Sequence, residues 1–434
     1  ELKIDEENIS LLMGKNCHVV IYPVNKNKEL NVVCIIREKK YDPDNIKSLV
    51  NKVTAQNSDL EKVLKGDLKS WPLYFTPQIL PSTNSKVFYI GDAFNGFLPT
   101  MAQGAGQSIE SAFDLFGNPS SVHLEGRKAR NIIENSRSSI EDNLDMGDGS
   151  LIFTSGATEA AQLILKEKKY KSAAIEHPAV LRWTECSLGI DEKFQVVSSN
   201  PQDCTIQLAN SETGIVQENL NDVWMTDATQ YFPKMNLQFS DLKASCAILS
   251  PHKFGGPKGI GAIIAKNSSD LDYLKHNGSQ EEGVRPGTEN VIGIVGFSEA
   301  VKVAKVARSN GVWERVLELR NLLESELKLR CSDLKVVGES VKRLPNTSCI
   351  LTPGWSGEKQ VISLDLAGFG VSFGSACSGK VSEASKSLIA LGYSKHFANC
   401  AIRVSIGPIT TQVEIEKFIE AWYSNFRKQN LYAA

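Results

Sequence analysis

From about residue 124 to the C-terminus, short apolar runs alternate with amphipathic helical stretches, which confines the chain to an α/β fold with a largely parallel, helix-covered sheet. Strand signals fall at 151–153, 173–175, 205–208, 222–225, 247–249 and 260–264. Helix signals include 126–145, where Ile132, Ile133, Ile140 and Leu144 share one face ahead of a Gly147-Asp148-Gly149 stop, and a long run over 291–307. The remainder, 309–434, reads as a smaller α/β domain closed by an amphipathic helix over 411–426.

The first part of the chain has a different character. Two β-rich runs, 17–24 and 31–36, split by the polar Asn25-Lys26-Asn27-Lys28, predict a hairpin, and a helical stretch follows over 44–64. Prolines at 72, 77 and 81 mark irregular chain. Val87-Phe88-Tyr89-Ile90-Gly91-Asp92 then reads as a strand, ahead of a helix opening over 98–107. The expected division is an α+β segment over 1–113, a large domain over 114–308 and a small domain over 309–434.

With 434 residues and 41% apolar composition, the chain has enough apolar surface for more than one core. A formal net charge of −2 supplies no positive field for nucleic acid or an acidic membrane surface, which leaves small-molecule chemistry as the expectation. No run approaches the roughly 18 apolar residues of a membrane span. The opening Glu1-Leu2-Lys3-Ile4-Asp5 lacks the basic-then-apolar order of a signal peptide, so a cytoplasmic location is expected. Nine cysteines without CxxC spacing argue for reduced thiols over a disulfide framework or a metal site.

Lys253 lies in Ser250-Pro251-His252-Lys253-Phe254-Gly255-Gly256-Pro257-Lys258-Gly259, and Asp227 ends an apolar run 26 residues upstream. Taken alone, the ten residues read equally well as a glycine-rich surface turn. As a pair, Lys253 and Asp227 meet the needs of pyridoxal 5'-phosphate (PLP): an amine to condense with its aldehyde, and a carboxylate to keep its pyridine nitrogen protonated. Ser155-Gly156-Ala157-Thr158-Glu159 follows a strand and opens a helix, where free backbone N–H groups and the Thr158 hydroxyl suit a phosphate; by itself it is also an ordinary helix start.

From Phe116 onward the chain resembles the class V aminotransferases and, within them, the cysteine desulfurases that feed iron–sulfur assembly. The likeness runs in order through Phe116-Gly117-Asn118-Pro119, Thr154-Ser155-Gly156-Ala157-Thr158-Glu159, Glu176-His177-Pro178, the Asp227 and Lys253 blocks, Arg285-Pro286-Gly287-Thr288-Glu289-Asn290, Gly374-Ser375-Ala376-Cys377-Ser378 and Ile402-Arg403-Val404-Ser405. The resemblance implies the fold type I of PLP-dependent transferases. It also implies a homodimer in which Thr288 reaches the phosphate of the other subunit's cofactor, L-cysteine as substrate and a sulfur-accepting scaffold protein as partner. Ala157, Thr158, Ser250 and His252 would hold the phosphate, His177 would face the ring and handle protons, and Gln230 would bond the phenolic oxygen. At Ser211 this chain departs from the pattern, which has an asparagine touching that same oxygen. The shorter serine predicts a weaker cofactor grip.

The glycine- and serine-rich segment around Cys377 suits a thiol that must attack a substrate sulfur and then carry a persulfide outward, whereas Cys246 and Cys349 sit in apolar runs and read as core. Phe373 stands where the resembled loops carry a serine, and its bulk is expected to stiffen or reorient the loop. Arg403 offers a planar fork for the substrate carboxylate. Upstream, the Gly91-Asp92 strand end and the Pro99 to Gly106 helix start resemble the C-terminal half of the FAD-dependent aromatic-ring hydroxylases. Asp92, Pro99, Gly104 and Gly106 would then be flavin contacts, but no GxGxxG fingerprint precedes them. Three functions follow as expectations: cysteine desulfuration; flavin-dependent hydroxylation, if a nucleotide-binding half comes from elsewhere; and a non-catalytic fusion.

Overall fold

A computed structural model of the chain describes residues 10–13, 17–24, 29–36, 46–55, 60, 64, 117–218, 220–276, 278–374 and 384–431. The chain divides into two compact units, Glu1–Leu115 and Phe116–Ala434.

In the first unit, β1 (Ser10–Met13), β2 (Cys17–Val24) and β3 (Glu29–Ile36) form an antiparallel sheet, so the expected hairpin gains a third strand. Val19 pairs with Cys34 and Ile21 with Val32, which puts these alternate residues on one face. That face packs with Val50 and Val53 of helix α1 (Ile46–Thr54) and with Leu60 and Leu64. The helix is shorter than the 44–64 stretch read from the sequence. Asp92, Pro99, Gly104 and Gly106, together with the expected strand at 87–92, lie outside the described residues.

The second unit opens with α2 (Leu124–Leu144), followed by β4 (Ser150–Thr154) and α3 (Ala157–Leu165). Next come β5 (Tyr170–Ala173), the short α4 (Pro178–Leu181), β6 (Thr184–Ile190) and β7 (Val196–Val197). β8 (Val223–Asp227), β9 (Ala244–Leu249) and β10 (Gly261–Ala265) complete the central strands, and α5 (Val291–Ser309) and α6 (Val312–Arg330) lead to the C-terminal part. β8 and β9 run parallel, while β10 is antiparallel to both β9 and β4. Segment 204–208 stitches this sheet to the parallel pair β5 and β6. Thr205 N–H donates to Lys171 O at 2.9 Å, and Ile206 N–H and Leu208 N–H donate to Met225 O and Asp227 O at 3.1 and 3.0 Å. The order is thus β6, β5, 204–208, β8, β9, β10, β4: a mixed, mostly parallel sheet.

The apolar runs are continuous because the central strands are covered on both faces. Leu151, Phe153, Ala262, Ile264, Ala247 and Leu249 face a layer containing Ile133, Ile140 and Leu144 of α2 and Ile294, Phe297 and Val301 of α5. Their neighbours Ile152, Ile263, Ala265, Cys246 and Ile248 face Ala160, Ala161, Ile164 and Leu165 of α3. The sequence window for β5, 173–175, meets the strand only at its last residue, Ala173, and Ile175 is buried in the turn that follows it.

The C-terminal part holds an antiparallel sheet of β11 (Lys335–Val336), β12 (Thr347–Leu351) and, after α7 (Gly357–Leu366), α8 (Lys386–Ala390) and α9 (Lys395–Ala398), β13 (Ala401–Ser405). Val316, Leu319, Leu323 and Leu327 of α6 and Ile415, Phe418, Ile419 and Trp422 of α10 (Gln412–Leu431) build its core by helical spacing. No helix among the described residues is long and apolar enough to cross a membrane.

An ion pair is buried beside this core. Arg343 Nη1 and Nη2 donate to Glu324 Oε1 and Oε2 at 2.7 and 2.8 Å, and Arg320 Nη1 donates to Leu344 O at 2.6 Å. Removing one partner of a buried pair strands the other, which costs about 3–5 kcal/mol. Glu324→Ala is therefore expected to lower unfolding stability by roughly that amount in urea titrations; a loss under about 1 kcal/mol, as at a surface pair, would contradict this assignment.

Candidate active site

Strand direction assembles the site. β5, segment 204–208, β8 and β9 run parallel, and β4, two reversals away across β10, shares their direction. Their C-terminal ends therefore open on one edge of the sheet, where ligand crevices of α/β folds form. The residues that follow these ends are Ser155 to Thr158 after β4, Glu176 and His177 after β5, and Asn210 to Gly214 after 204–208. Asp227 ends β8, and Ser250 to Lys253 follow β9.

Asp227 is half-buried at the end of β8, with Oδ1 accepting the Thr229 N–H at 2.8 Å and Ile248 as its backbone partner on β9. Lys253 ends the short helical turn Pro251–Lys253 and is exposed. His177 caps α4: its Nδ1 accepts the Ala179 N–H at 3.2 Å, so the neutral ring carries its proton on Nε2. Burial lowers the His177 pKa and the Lys253 charge lowers it further, while Asp227 and Glu212 pull the other way. His177, Asp227, Lys253 and Glu212 thus share one electrostatic neighbourhood.

The phosphate side is built from α3 and the β9 turn. Gly156 precedes α3 with no side-chain cap and with open space where a Cβ would stand, so the first-turn N–H groups of Ala157 and the exposed Thr158 face outward. A Cβ on Gly261 would come within 2.6 Å of Gly156 Cα, so only glycine lets β10 approach the helix start this closely. Ser250 Oγ is buried and bonds His252 Nδ1 at 2.8 Å. Burial, Lys253 and Lys258 all lower the His252 pKa, the signature of a positive patch that an anion would relieve. Glu159 takes the Ser155 N–H and pairs with Arg285 at 3.3 Å; Thr288, three residues further on, is exposed.

The substrate side joins the small sheet to the 210–214 turn. Arg403, on β13, donates from Nη1 to Ser211 O at 2.7 Å and from Nη2 to Ser372 Oγ at 3.0 Å, while its buried Nε has no partner among the described residues. That orphaned donor fits a carboxylate ligand. Cys377 lies outside the described residues, but both flanks of its segment are anchored. Ser372 pairs with Arg403 through backbone bonds of 3.1 and 2.7 Å, and Phe373 lies against Gly357. On the other flank, Ser385 Oγ and Ser387 Oγ donate to Glu212 at 2.5 and 2.9 Å. Cys246 and Cys349 are buried free thiols; burial pushes both pKa values up, that of Cys349 to about 12. Among the described residues no three His, Cys, Asp or Glu side chains gather into a metal site.

Sequence reasoning passed over three residues here. Glu212 accepts from Ser385 and Ser387, on the chain that follows the cysteine segment. Glu176 is fully buried, its Oε1 accepting the Gln207 N–H at 2.7 Å and its Oε2 unpartnered among the described residues. Burial and the nearby Asp227 raise its pKa, against the Gln207 N–H, which lowers it. Lys234 donates from Nζ to Gln230 O and Oε1 at 2.7 and 2.9 Å; its four-residue spacing from Gln230 was the available signal.

Burial, with Lys253 and Arg403, brings the Lys234 pKa down to about 7, against about 10.4 in an unfolded chain. Between those values the unfolded chain binds more protons, so the folded state gains stability as pH rises, by at most about 1.4 kcal/mol per pH unit. The cofactor-free chain is expected to gain stability over Lys234→Met between pH 7 and 9.5 in urea titrations; a pH-independent difference would contradict the depressed pKa.

Residues 173–418 match the family model described as Aminotransferase class-V. "Cysteine desulfurase IscS" of Dictyoglomus turgidum is 32% identical over 337 residues, covering 70% of this chain and 85% of that protein. The solved structure of a NifS-like protein from Rickettsia africae superposes with a TM-score of 0.63 at 28% identity, covering 71% of this chain and 92% of the other. "SspA in complex with cysteine" superposes with a TM-score of 0.55 at 26% identity, covering 69% and 93%. By sequence and by fold, the chain belongs to the class-V aminotransferase family and, within it, to the cysteine desulfurases.

Proposed function

We propose that the chain is a PLP-dependent cysteine desulfurase that converts L-cysteine to L-alanine and holds the released sulfur as a persulfide on Cys377. The observation that carries this reading is the convergence of Lys253, Asp227 and His177 on one strand edge, with the buried unpartnered Nε of Arg403 on the substrate side. Bound here, the cofactor supplies an electron sink that acidifies the α-C–H of an amino acid. The donors fit it: Ala157 N–H, Thr158, Ser250 and His252 hold the phosphate, and Asp227 keeps the pyridine nitrogen protonated.

Lys253 would hold the cofactor by its aldehyde, and its amine would serve as the base for the substrate's α-proton. His177, with its proton on Nε2, assists proton transfer, Arg403 orients the substrate carboxylate, and Gln230 and Ser211 would bond the phenolic oxygen of the cofactor. Cys377 attacks the substrate sulfur as a thiolate: an S–S bond forms, the C–S bond breaks, and its electron pair stays with the carbon skeleton, which leaves as alanine after protonation. The persulfide then passes to a sulfur-accepting scaffold protein. The working assembly is a homodimer in which Thr288 completes the partner's phosphate site. A reducing cytoplasmic setting accords with the free thiols of Cys246 and Cys349.

Cys377→Ser is expected to retain the visible absorption of bound cofactor yet lose alanine and sulfide formation by on the order of 1000-fold, as removal of a covalent nucleophile does. Alanine formed from cysteine at the unmodified rate would contradict the role of Cys377.

A further inference from the structure

Lys234 is the buried cation that the chemistry above leaves without a role. It is 5% exposed, in the turn that follows β8, and the charges acting on it, Lys253 and Arg403, are both of its own sign. Burying an ammonium beside two cations lowers stability, and a hydrocarbon side chain would serve packing better. What the lysine does make is specific. Its Nζ bridges the backbone carbonyl and the side-chain Oε1 of Gln230, at 2.7 and 2.9 Å.

These two bonds decide which way the Gln230 amide points. Lysine Nζ, when charged, only donates, so the amide atom facing it must be the oxygen; an amide nitrogen there would set donor against donor. Nε2 is thereby turned away from Lys234, with no acceptor among the described residues. Gln230 lies three residues past Asp227, on the turn that carries the carboxylate read above as the partner of the pyridine nitrogen. A glutamine free to flip must be turned by the anionic phenolic oxygen as it binds; a locked one already presents N–H. The neutral amine keeps two N–H groups for the same two acceptors but gains a lone pair that can accept an amide N–H, so the lock is strict only while Lys234 is charged.

We infer that Lys234 is a positioning residue for the cofactor, holding the Gln230 amide with Nε2 toward the phenolic oxygen. This rests on the reading of Gln230 and Asp227 as cofactor ligands. The test is a double-mutant cycle on PLP affinity, measured by titrating cofactor-free protein and following tryptophan quenching and the visible band. Lys234→Met is expected to weaken PLP binding by about tenfold, the worth of one hydrogen bond to a charged group, and to add no loss in a Gln230→Ala background. Lys234→Gln, which keeps an N–H donor without the charge, is expected to restore affinity to within about threefold of the unmodified chain.

An unchanged affinity in Lys234→Met, the same loss in both backgrounds, or a Lys234→Gln as weak as Lys234→Met would each overturn the inference. Should Lys234→Met fail to fold, Gln230→Glu decides the matter, because it leaves the lysine partnered but faces the phenolic oxygen with an anion. It is expected to bind PLP more weakly than Gln230→Ala, and binding as tight as in the unmodified chain would overturn the inference. Failure of the underlying reading looks different: the unmodified chain would take up no PLP, or Lys253→Ala would bind it with an unchanged visible band, and the inference would fall with it.

Discussion

The shared direction of β4, β5, β8, β9 and segment 204–208 is the constraint from which the site follows. Segments separated by up to about 100 residues, from Ser155 to Lys253, meet only because the strands that precede them point the same way. The antiparallel β10 returns the chain so that Gly261, at its start, sits against Gly156 at the start of α3. A side chain at Gly261 would drive the strand and the start of α3 apart. The two apolar layers that clasp the sheet hold this arrangement rigid, and rigidity is what a site composed of strand ends requires.

Within that frame the site is a crowd of charges that settle by partial neutralisation. Burial and Asp227 raise the Glu176 pKa, and burial and Lys253 lower that of His177, so both shifts favour the uncharged form. With burial, the charges of Lys253 and Arg403 bring the Lys234 pKa down, which marks the region as positive. Glu212 links the two sides of the pocket: it is bonded by Ser385 and Ser387, and its neighbour Ser211 gives its carbonyl to Arg403. The departure at Ser211 therefore does not leave that position idle, since its backbone helps to orient the arginine whatever its side chain reaches.

The strands buried on both faces, β4, β9 and β10, were legible as continuous apolar runs, and the pairing of Asp227 with Lys253 was read from the chemistry such a pair serves. β5 was read three residues late because Ala174 and Ile175 extend the apolar signal past the last strand residue, and burial in a turn looks the same as burial in a strand. Segment 204–208 pairs with both neighbours through isolated bridges, although the sequence reads as a plain strand. Lys234 was passed over for a different reason. A lysine after a proline reads as surface, and only tertiary burial turns it into a desolvated donor. Likewise, the need for glycine at Gly261 comes from a helix start some 100 residues away, which no local pattern records.

The most direct test of the central claim is chemical trapping of the cofactor. The purified chain, loaded with PLP, is reduced with borohydride, digested and analysed by mass spectrometry. A phosphopyridoxyl group on the peptide carrying Lys253, absent when Lys253 is replaced by alanine, is the expected result. The label on another lysine, or on none, would contradict the account.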